Sequence, residues 1–282
     1  MNTVDTLWVI VSAALVLFMT PGLALFYGGM VRSKNVLAVM MNNFAAMGVV
    51  TVLWIVVGAT LAFGHDVGGG LIGDLSLSGL SHLGRSLPGF SAGGASPMAV
   101  LTFQLMFAII TAALISGGTT DRIKFPSFVV LISLWLFCVY IPLAHWVFSP
   151  EGWLATHGVL DFAGGTVVEI NSGFSTLAIV LVLGRRRGWP GEAMVPHSVP
   201  LSLLGVGILW FGWFGFNAGS SLAMNSVAVS AFIATQAAAA AGLVGWLVFE
   251  RITESYPTTL GAASGAVAGM VAITPCAGFV SP

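Results

Sequence analysis

The sequence predicts an all-α protein that crosses a membrane several times. Hydrophobic residues make up 57% of its 282 positions, charged residues only 7%, and the mean hydropathy is +0.99. A soluble domain usually carries about 25% charged residues. No long apolar segment alternates as a strand would, and helices satisfy their backbone groups internally within lipid. A bundle of membrane-spanning helices follows.

Eight segments are apolar enough to span a bilayer, which takes about 20 residues each. Many contain Gly, Ala and Ser at short spacing, as at 261–265. Small residues let helices approach closely in lipid, so we expect tight packing. The segments lie near 8–30, 40–63, 98–118, 126–148, 159–184, 199–219, 226–249 and 258–280.

The basic residues predict the orientation of the bundle in the cell membrane. Of the nine Lys and Arg residues, only Arg85 lies on the side that holds the N-terminus and the irregular 64–97 loop. By the positive-inside rule the other side is cytoplasmic, and the N-terminus is outside. The cytoplasmic set is Arg32, Lys34, Arg122, Lys124, Arg185, Arg186, Arg187 and Arg251.

The composition also excludes several function classes. A net charge of −1 offers too little basic surface for nucleic acid. Two cysteines, Cys138 and Cys276, supply neither a disulfide scaffold nor a thiolate metal site. No set of ligands has metal spacing, and no nucleophile or HExxH pattern for an enzyme is present. We therefore expect no metal, no cofactor and no catalytic residues.

Two acids lie in the fifth apolar segment, where ionisable groups are costly and mark functional candidates. Asp161 lies near its outer end and Glu169 near the middle of the membrane. On a continuous helix they would lie about 12 Å apart on one face. Asp161 is either a helix N-cap or a cap that also attracts cations. Glu169 is either a buried, protonated carboxyl bonded to a neighbour or a pore-lining group that handles protons or cations.

Aromatic residues form a second set of candidates. Phe103 and Phe107 share a helix face. On their own they are more typical of ordinary core or lipid-facing residues than of a functional site. The stretch 210–220 interleaves aromatics with glycines before ending in Asn-Ala-Gly-Ser. Such a stretch belongs either to the interfacial aromatic belt or to a lined vestibule whose rings attract cations.

The run 161–173, DFAGGTVVEINSG, resembles the signature of the ammonium transporter family (Amt/Mep/Rh). The stretches 21–35, 103–110 and 212–220 are similar to the first, third and sixth helices of that family. The resemblance implies a trimer of eleven-span subunits, each built from two inverted five-helix repeats and one further helix. It also implies one transmembrane domain over 1–282, with a first repeat at about 8–184 and part of a second at about 199–280. The chain would then stop before the ninth span.

The resemblance also assigns roles by motif. It implies an outer substrate site with Asp161, a phenylalanine gate, a proton relay at Glu169, and the pore-adjacent residues Phe103 and Thr274. The outer site would further include Phe107, Phe148 and Ser220, and the gate would be Phe107 with Phe216.

Three departures from the family pattern stand out. Glu169 replaces the first of two pore histidines, as in some fungal members, so its pH dependence should differ from that of imidazole. Phe148 lies where the family has a tryptophan, and phenylalanine gives a weaker cation–π contact. The second pore histidine belongs to a span beyond this chain.

The sequence therefore predicts an ammonium transporter serving nitrogen uptake. Ammonium would be recruited outside and deprotonated, and ammonia would pass an apolar pore while a relay carries the proton. The alternatives are an ammonium sensor that signals after binding, or a non-conducting truncated homologue. The partners implied are two further copies of the chain and a cytoplasmic nitrogen-regulatory protein.

Overall fold

The computed structural model describes residues 1–90 and 94–281. Within these residues the chain is helical, and strand pairing is limited to an isolated bridge between Asp66 and Gly73. Seven helices are long and apolar enough to cross a membrane, as the composition predicts, and an eighth is shorter. They are α1 (Thr3–Met30), α2 (Ser33–Phe63), α3 (Pro97–Thr119), α4 (Phe125–Thr156), α5 (Gly165–Leu183), α6 (Val199–Gly219), α7 (Ser226–Thr253) and α8 (Thr259–Ile273).

Helix α8 is shorter than the segment 258–280 that the sequence predicts. The helix ends at Ile273 and turns follow it up to Phe279. Pro275 has no backbone N–H with which to continue the helix. The N–H of Cys276 instead donates to the carbonyl of Ile273 in a turn. The apolar segment is therefore part helix and part compact turn.

The start of α5 corrects a prediction. Helical structure begins at Gly165 rather than near 159, because Gly164 adopts a left-handed conformation with φ of +106°. Glycine adopts this conformation without steric cost, and there it separates the helix from the residues before it. Asp161 therefore precedes the helix. The inference that Asp161 and Glu169 share one helix face is wrong.

Three spans contain π-helical segments, in which the hydrogen bonds run five residues back. These segments are Trp54–Gly58, Leu136–Tyr140 and Gly165–Ile170. Single π-turns are rare and often accompany functional sites. The third one includes Glu169.

Helix α3 is the centre of the bundle. It packs against α1, α2 and α5, and 83% of its most apolar window is buried. Glycines bring other helices close, as predicted. A Cβ on Gly205 of α6 would lie 2.6 Å from the carbonyl oxygen of Gly22 in α1. A Cβ on Gly265 of α8 would lie 2.5 Å from the carbonyl of Gly242 in α7.

The loops after α1, α3 and α5 meet at one end of the bundle, called here the basic end. Arg32 forms ion pairs with Asp121, at 2.8 Å, and with Glu192. Arg122 donates to the carbonyls of Gly118 and Gly184 and so ties the end of α3 to the end of α5. The predicted clustering of cations on one side is thus confirmed for these loops.

At the opposite end, the loop between α2 and α3 is irregular over its described residues, as predicted. It is fastened to the end of α4. Trp146 donates its indole N–H to the carbonyl of Leu71, and the buried imidazole of His145 lies 3.3 Å from Asp66. These contacts hold the loop against the end of α4, and we call this loop the cover.

Candidate functional site

Asp161 caps the start of α5. Its Oδ1 accepts hydrogen bonds from the backbone N–H groups of Gly164 and Gly165, at 2.8 and 2.7 Å, and its Oδ2 accepts one from Thr166 at 2.7 Å. A helix start leaves N–H groups without intrahelical partners, and a carboxylate there is favourable. The capping interpretation of Asp161 is thus confirmed, and cation attraction stays a prediction.

The two candidate gate phenylalanines are in contact. The ring centroids of Phe107 and Phe216 lie 4.4 Å apart with a tilt of 54°. Both rings are buried. Phe103 continues the row, with its centroid 4.7 Å from that of Phe107. The three rings therefore form a contiguous aromatic row where α3 and α6 meet.

Phe148 joins this row from α4. A Cβ on Gly164 would lie 3.1 Å from Cζ of Phe148 and 3.8 Å from Cδ1 of Phe107. Both rings therefore converge on the glycine that Asp161 fixes. Phe148 therefore lies near Phe107, with which it is predicted to form the outer site.

Ser220 lies at the C-terminal end of α6, on the same side as Phe148. It is partly exposed, and its hydroxyl donates to the carbonyl of Phe216 at 2.8 Å. The preceding Gly219 is buried against Phe103, whose Cε2 would lie 3.1 Å from an added Cβ. The hydroxyl oxygen of Ser220 keeps its capacity to accept a further hydrogen bond.

Thr274 has a structural role that the sequence motif alone did not show. It is fully buried, its hydroxyl donates to the carbonyl of Met270, and it accepts the indole N–H of Trp213 at 2.9 Å. The Trp213 ring in turn lies 5.5 Å from that of Phe216. Thr274 therefore holds Trp213, which in turn packs against Phe216 in the aromatic row. The motifs did not indicate Trp213, although a buried indole N–H needs a hydrogen-bond acceptor.

The residues at the start of α5 pack against the turn that follows α8. Phe162 donates its backbone N–H to the carbonyl of Pro275 at 2.9 Å. A Cβ on Gly165 would lie 2.6 Å from the Pro275 ring. The start of α5 and the turn after α8 thus form one rigid unit beside the phenylalanines.

Beneath Phe216 lies an apolar cavity of about 160 Å³. Its walls come from α1, α3, α5, α6 and α8, and Glu169 is the one formally charged residue among those that line it. Apolar residues such as Met19, Leu23, Leu209 and Val267 form most of the remaining wall. A cavity of this size and character suits a small neutral molecule better than a hydrated ion.

Glu169 itself has an unsatisfied oxygen. Its side chain reaches the cavity, yet Oε2 is buried and has no hydrogen-bond partner within the described chain. Oε2 therefore lacks the hydrogen-bonded neighbour that the alternative of a buried, protonated carboxyl predicts. The hydroxyl of Tyr140, in the π-helical segment of α4, is also buried and has no partner among the described residues. Buried polar atoms without partners are uncommon in folded proteins.

The cover at the opposite end carries a perturbed carboxylate outside the spans. The backbone N–H of Gly70, followed by that of Gly68 and by His145, lowers the pKa of Asp66, although burial acts against this shift. The tie between Asp66 and α4 is therefore strongest when Asp66 is ionised. Over residues 1–90 and 94–281, no cluster of three or more His, Cys, Asp or Glu side chains could hold a metal ion.

Comparison with known proteins agrees with this geometry. Residues 7–282 match the profile of the Ammonium Transporter Family. An ammonium transporter of Mycobacterium tuberculosis is 49% identical over 98% of this chain and 62% of its own length. An ammonium transporter of Bacillus subtilis is 48% identical over 99% of this chain and 67% of its own length. The chain thus spans about two thirds of the length of these relatives.

Solved structures show the same fold. Mep2 of Saccharomyces cerevisiae is 36% identical, with a TM-score of 0.92 over 100% of this chain and 64% of Mep2. A sensor Amt protein is 30% identical, with a TM-score of 0.90 over 99% of this chain and 70% of its own. The protein is an integral membrane protein, and the chain belongs to the ammonium transporter family.

Proposed function

We propose that the protein transports ammonium across the cell membrane, with ammonia as the species that passes the hydrophobic part of the path. The observation that carries this proposal is the apolar cavity beneath the Phe107–Phe216 pair, into which the single carboxyl of Glu169 projects. Moving an ion through hydrocarbon is expensive, whereas a small neutral molecule passes at low cost.

The outer site would bind the cation before it loses its proton. Phe107 and Phe148 offer aromatic faces over Gly164, and Ser220 offers a hydroxyl oxygen nearby. A desolvated cation–π contact is worth about 2 kcal/mol or more. Asp161 would contribute its field while it holds the backbone of the site in place.

Glu169 would act as a relay for the proton that ammonium leaves behind. Its Oε2 has no partner within the described residues, so this oxygen is available to accept a proton or to bond a water molecule. A carboxyl oxygen can accept a proton and later donate it. The oxygens of Asp161 do this less readily because they already accept backbone N–H groups.

The basic end would face the cytoplasm, and the N-terminus would lie outside. From the resemblance to the family, we further propose a homotrimer with one path per subunit, and a nitrogen-regulatory protein as partner at the basic end. The domain would consist of a first repeat from α1 to α5 and a part of the second repeat from α6 to α8.

Sensing is the second candidate function, because the sensor Amt protein shares this fold at a TM-score of 0.90. A conductor and a sensor would use the same outer site. They differ in whether charge moves after binding.

Ammonium-driven current in proteoliposomes separates the two candidates. We expect a saturable current for the wild-type protein, and its loss or uncoupling in Glu169→Ala. Saturable binding without current would favour the sensor. An unchanged current in Glu169→Ala would refute the relay role of Glu169.

A further inference from the structure

A cavity at the basic end is lined by cations that have few partners. It has a volume of about 310 Å³ and lies between the start of α2, the loop 119–124 and the segment after α5. We call it the basic pocket. The charged and amide side chains in its lining belong to Arg122, Lys124, Arg187, Asp121, Asn35 and Asn42.

The negative charge in the basic pocket is already neutralised. Asp121 pairs with Arg32 at 2.8 Å and accepts a hydrogen bond from Asn35 at 2.7 Å. Within the described part of the chain, neither Lys124 nor Arg187 has a carboxylate within 4.0 Å of its charged nitrogens. The basic pocket therefore has an excess of positive charge.

Arg122 adds to this excess at the centre of the loop. Its Nε and Nη1 donate to the carbonyls of Gly184 and Gly118, while Nη2 has no such bond to the residues that the structure describes. Burial and the nearby charge of Arg186 lower the pKa of Arg122, yet a guanidinium stays charged. An anion beside Nη2 would stabilise this partly buried cation.

An apolar groove adjoins the basic pocket. It has a volume of about 350 Å³, lies between α4 and α5, and shares Ile123 with the pocket. Within α4 it extends from Ser127 to Leu131, about 6 Å at 1.5 Å per residue. Val182, on its far wall, is 86% exposed, as a lipid-facing residue would be.

The depths of the basic pocket and of the apolar groove in the membrane fit one class of ligand. The basic pocket lies where α4 begins and α5 ends, so it is at the depth of lipid headgroups, and the groove continues into the hydrocarbon. Basic pockets between membrane helices on the cytoplasmic side bind anionic headgroups. A free phosphate would fill the pocket but leave the groove empty.

We propose that the basic pocket and the apolar groove together bind one anionic phospholipid, with its phosphate at Arg122, Lys124 and Arg187 and an acyl chain between α4 and α5. This site is separate from the proposed transport path. Its presence does not depend on whether the protein conducts or senses.

Native mass spectrometry of the purified protein tests this proposal. The probes are phosphatidylglycerol, phosphatidylcholine with the same chains, and inorganic phosphate as a chain-free competitor. We expect retention of phosphatidylglycerol in preference to phosphatidylcholine, with little displacement by phosphate. The double variant Lys124→Gln/Arg187→Gln should lose affinity about 30-fold, as expected for two cations near an anionic surface.

The matched control is Lys34→Gln/Arg185→Gln, which removes the same two charge types from the basic end but outside the basic pocket. It should bind nearly as the wild type does. A second variant, Ala178→Phe, fills the groove without changing charge and should also weaken binding. Equal losses in both double variants, equal binding of the two lipids, unchanged binding to Ala178→Phe, or full displacement by phosphate would overturn the proposal.

Discussion

One acid lies just before α5 and a second lies in its π-helical start, and the two acids are in opposite states. At the start, both oxygens of Asp161 accept backbone N–H groups, at 2.7 to 2.8 Å. One turn beyond the third of these donors, Oε2 of Glu169 is buried with no partner within the described residues and the side chain borders a cavity. The first acid is committed to holding the fold, whereas the second is available for chemistry.

This difference teaches that an acid in an apolar segment is not by itself a functional group. The geometry of the backbone decides its role. Because helical structure begins only after Gly164, the backbone N–H groups there have no intrahelical acceptors, and they donate to the Asp161 carboxylate. Among residues 1–90 and 94–281 no such donor reaches Oε2 of Glu169, which leaves an incompletely bonded group in an apolar setting.

The largest loss of stability is expected from Asp161→Ala. It leaves three N–H groups without their acceptor, and hydrogen bonds to a charged group are worth about 1.5–3 kcal/mol each, although not additively. We expect the free energy of unfolding to fall by about 3 kcal/mol or more, read as a lower Tm in detergent. Asp161→Asn retains one acceptor oxygen and should lose less. Wild-type Tm in the alanine variant would show that the cap contributes little.

A smaller loss is expected at the packing contact beside the cap. In Gly165→Ala the new Cβ would lie 2.6 Å from the ring of Pro275, which cannot bend away easily. Overpacking of this kind costs about 1–3 kcal/mol. Gly173→Ala is the matched control, since no atom lies within 4 Å of its added Cβ, and alanine favours a helix over glycine. Similar Tm values for the two variants would contradict the tight contact.

The smallest effect concerns the cover at the opposite end. Because the pKa of Asp66 is lower in the folded protein than in the unfolded chain, its ionised form stabilises the fold above the ordinary aspartate pKa of about 4, and this contribution is lost as pH falls through the folded pKa. We expect faster hydrogen exchange in residues 64–74 below about pH 4, after correction for the intrinsic rates. Asp66→Asn should reduce this pH step, and the part that remains is expected from Asp74, whose pKa is also lowered by its hydrogen bonds from Ser76. A loop whose corrected exchange ignores pH would refute the tie.

Much of the fold follows from the sequence because hydropathy in lipid has few structural solutions. The all-helical bundle, seven of the eight spans as full-length helices, and the meeting of the basic loops were predictable from apolar length and charge. The break before Gly165 was not, because a left-handed glycine looks like any other glycine in a run of small residues. For the same reason, Asp161 was placed on a helix face that does not exist.

The candidate site was predictable only in part. Motifs indicated Phe107, Phe148, Phe216 and Ser220, and the fold brings these residues to one half of the bundle. The bond from Trp213 to Thr274 joins residues 61 positions apart, and no local pattern encodes such a pairing. The unpaired state of Glu169 Oε2 likewise depends on what neighbouring helices lack, which a single segment does not reveal.

The most direct test of the contrast between the two acids applies the same chemical change to each. Asp161→Asn and Glu169→Gln both replace a carboxyl by an amide of nearly equal size. Tm and ammonium-driven current per folded protein are measured for both in parallel. We expect a lowered Tm for Asp161→Asn, and for Glu169→Gln a Tm near that of the wild type with the current lost or uncoupled. A wild-type current in fully folded Glu169→Gln would contradict it.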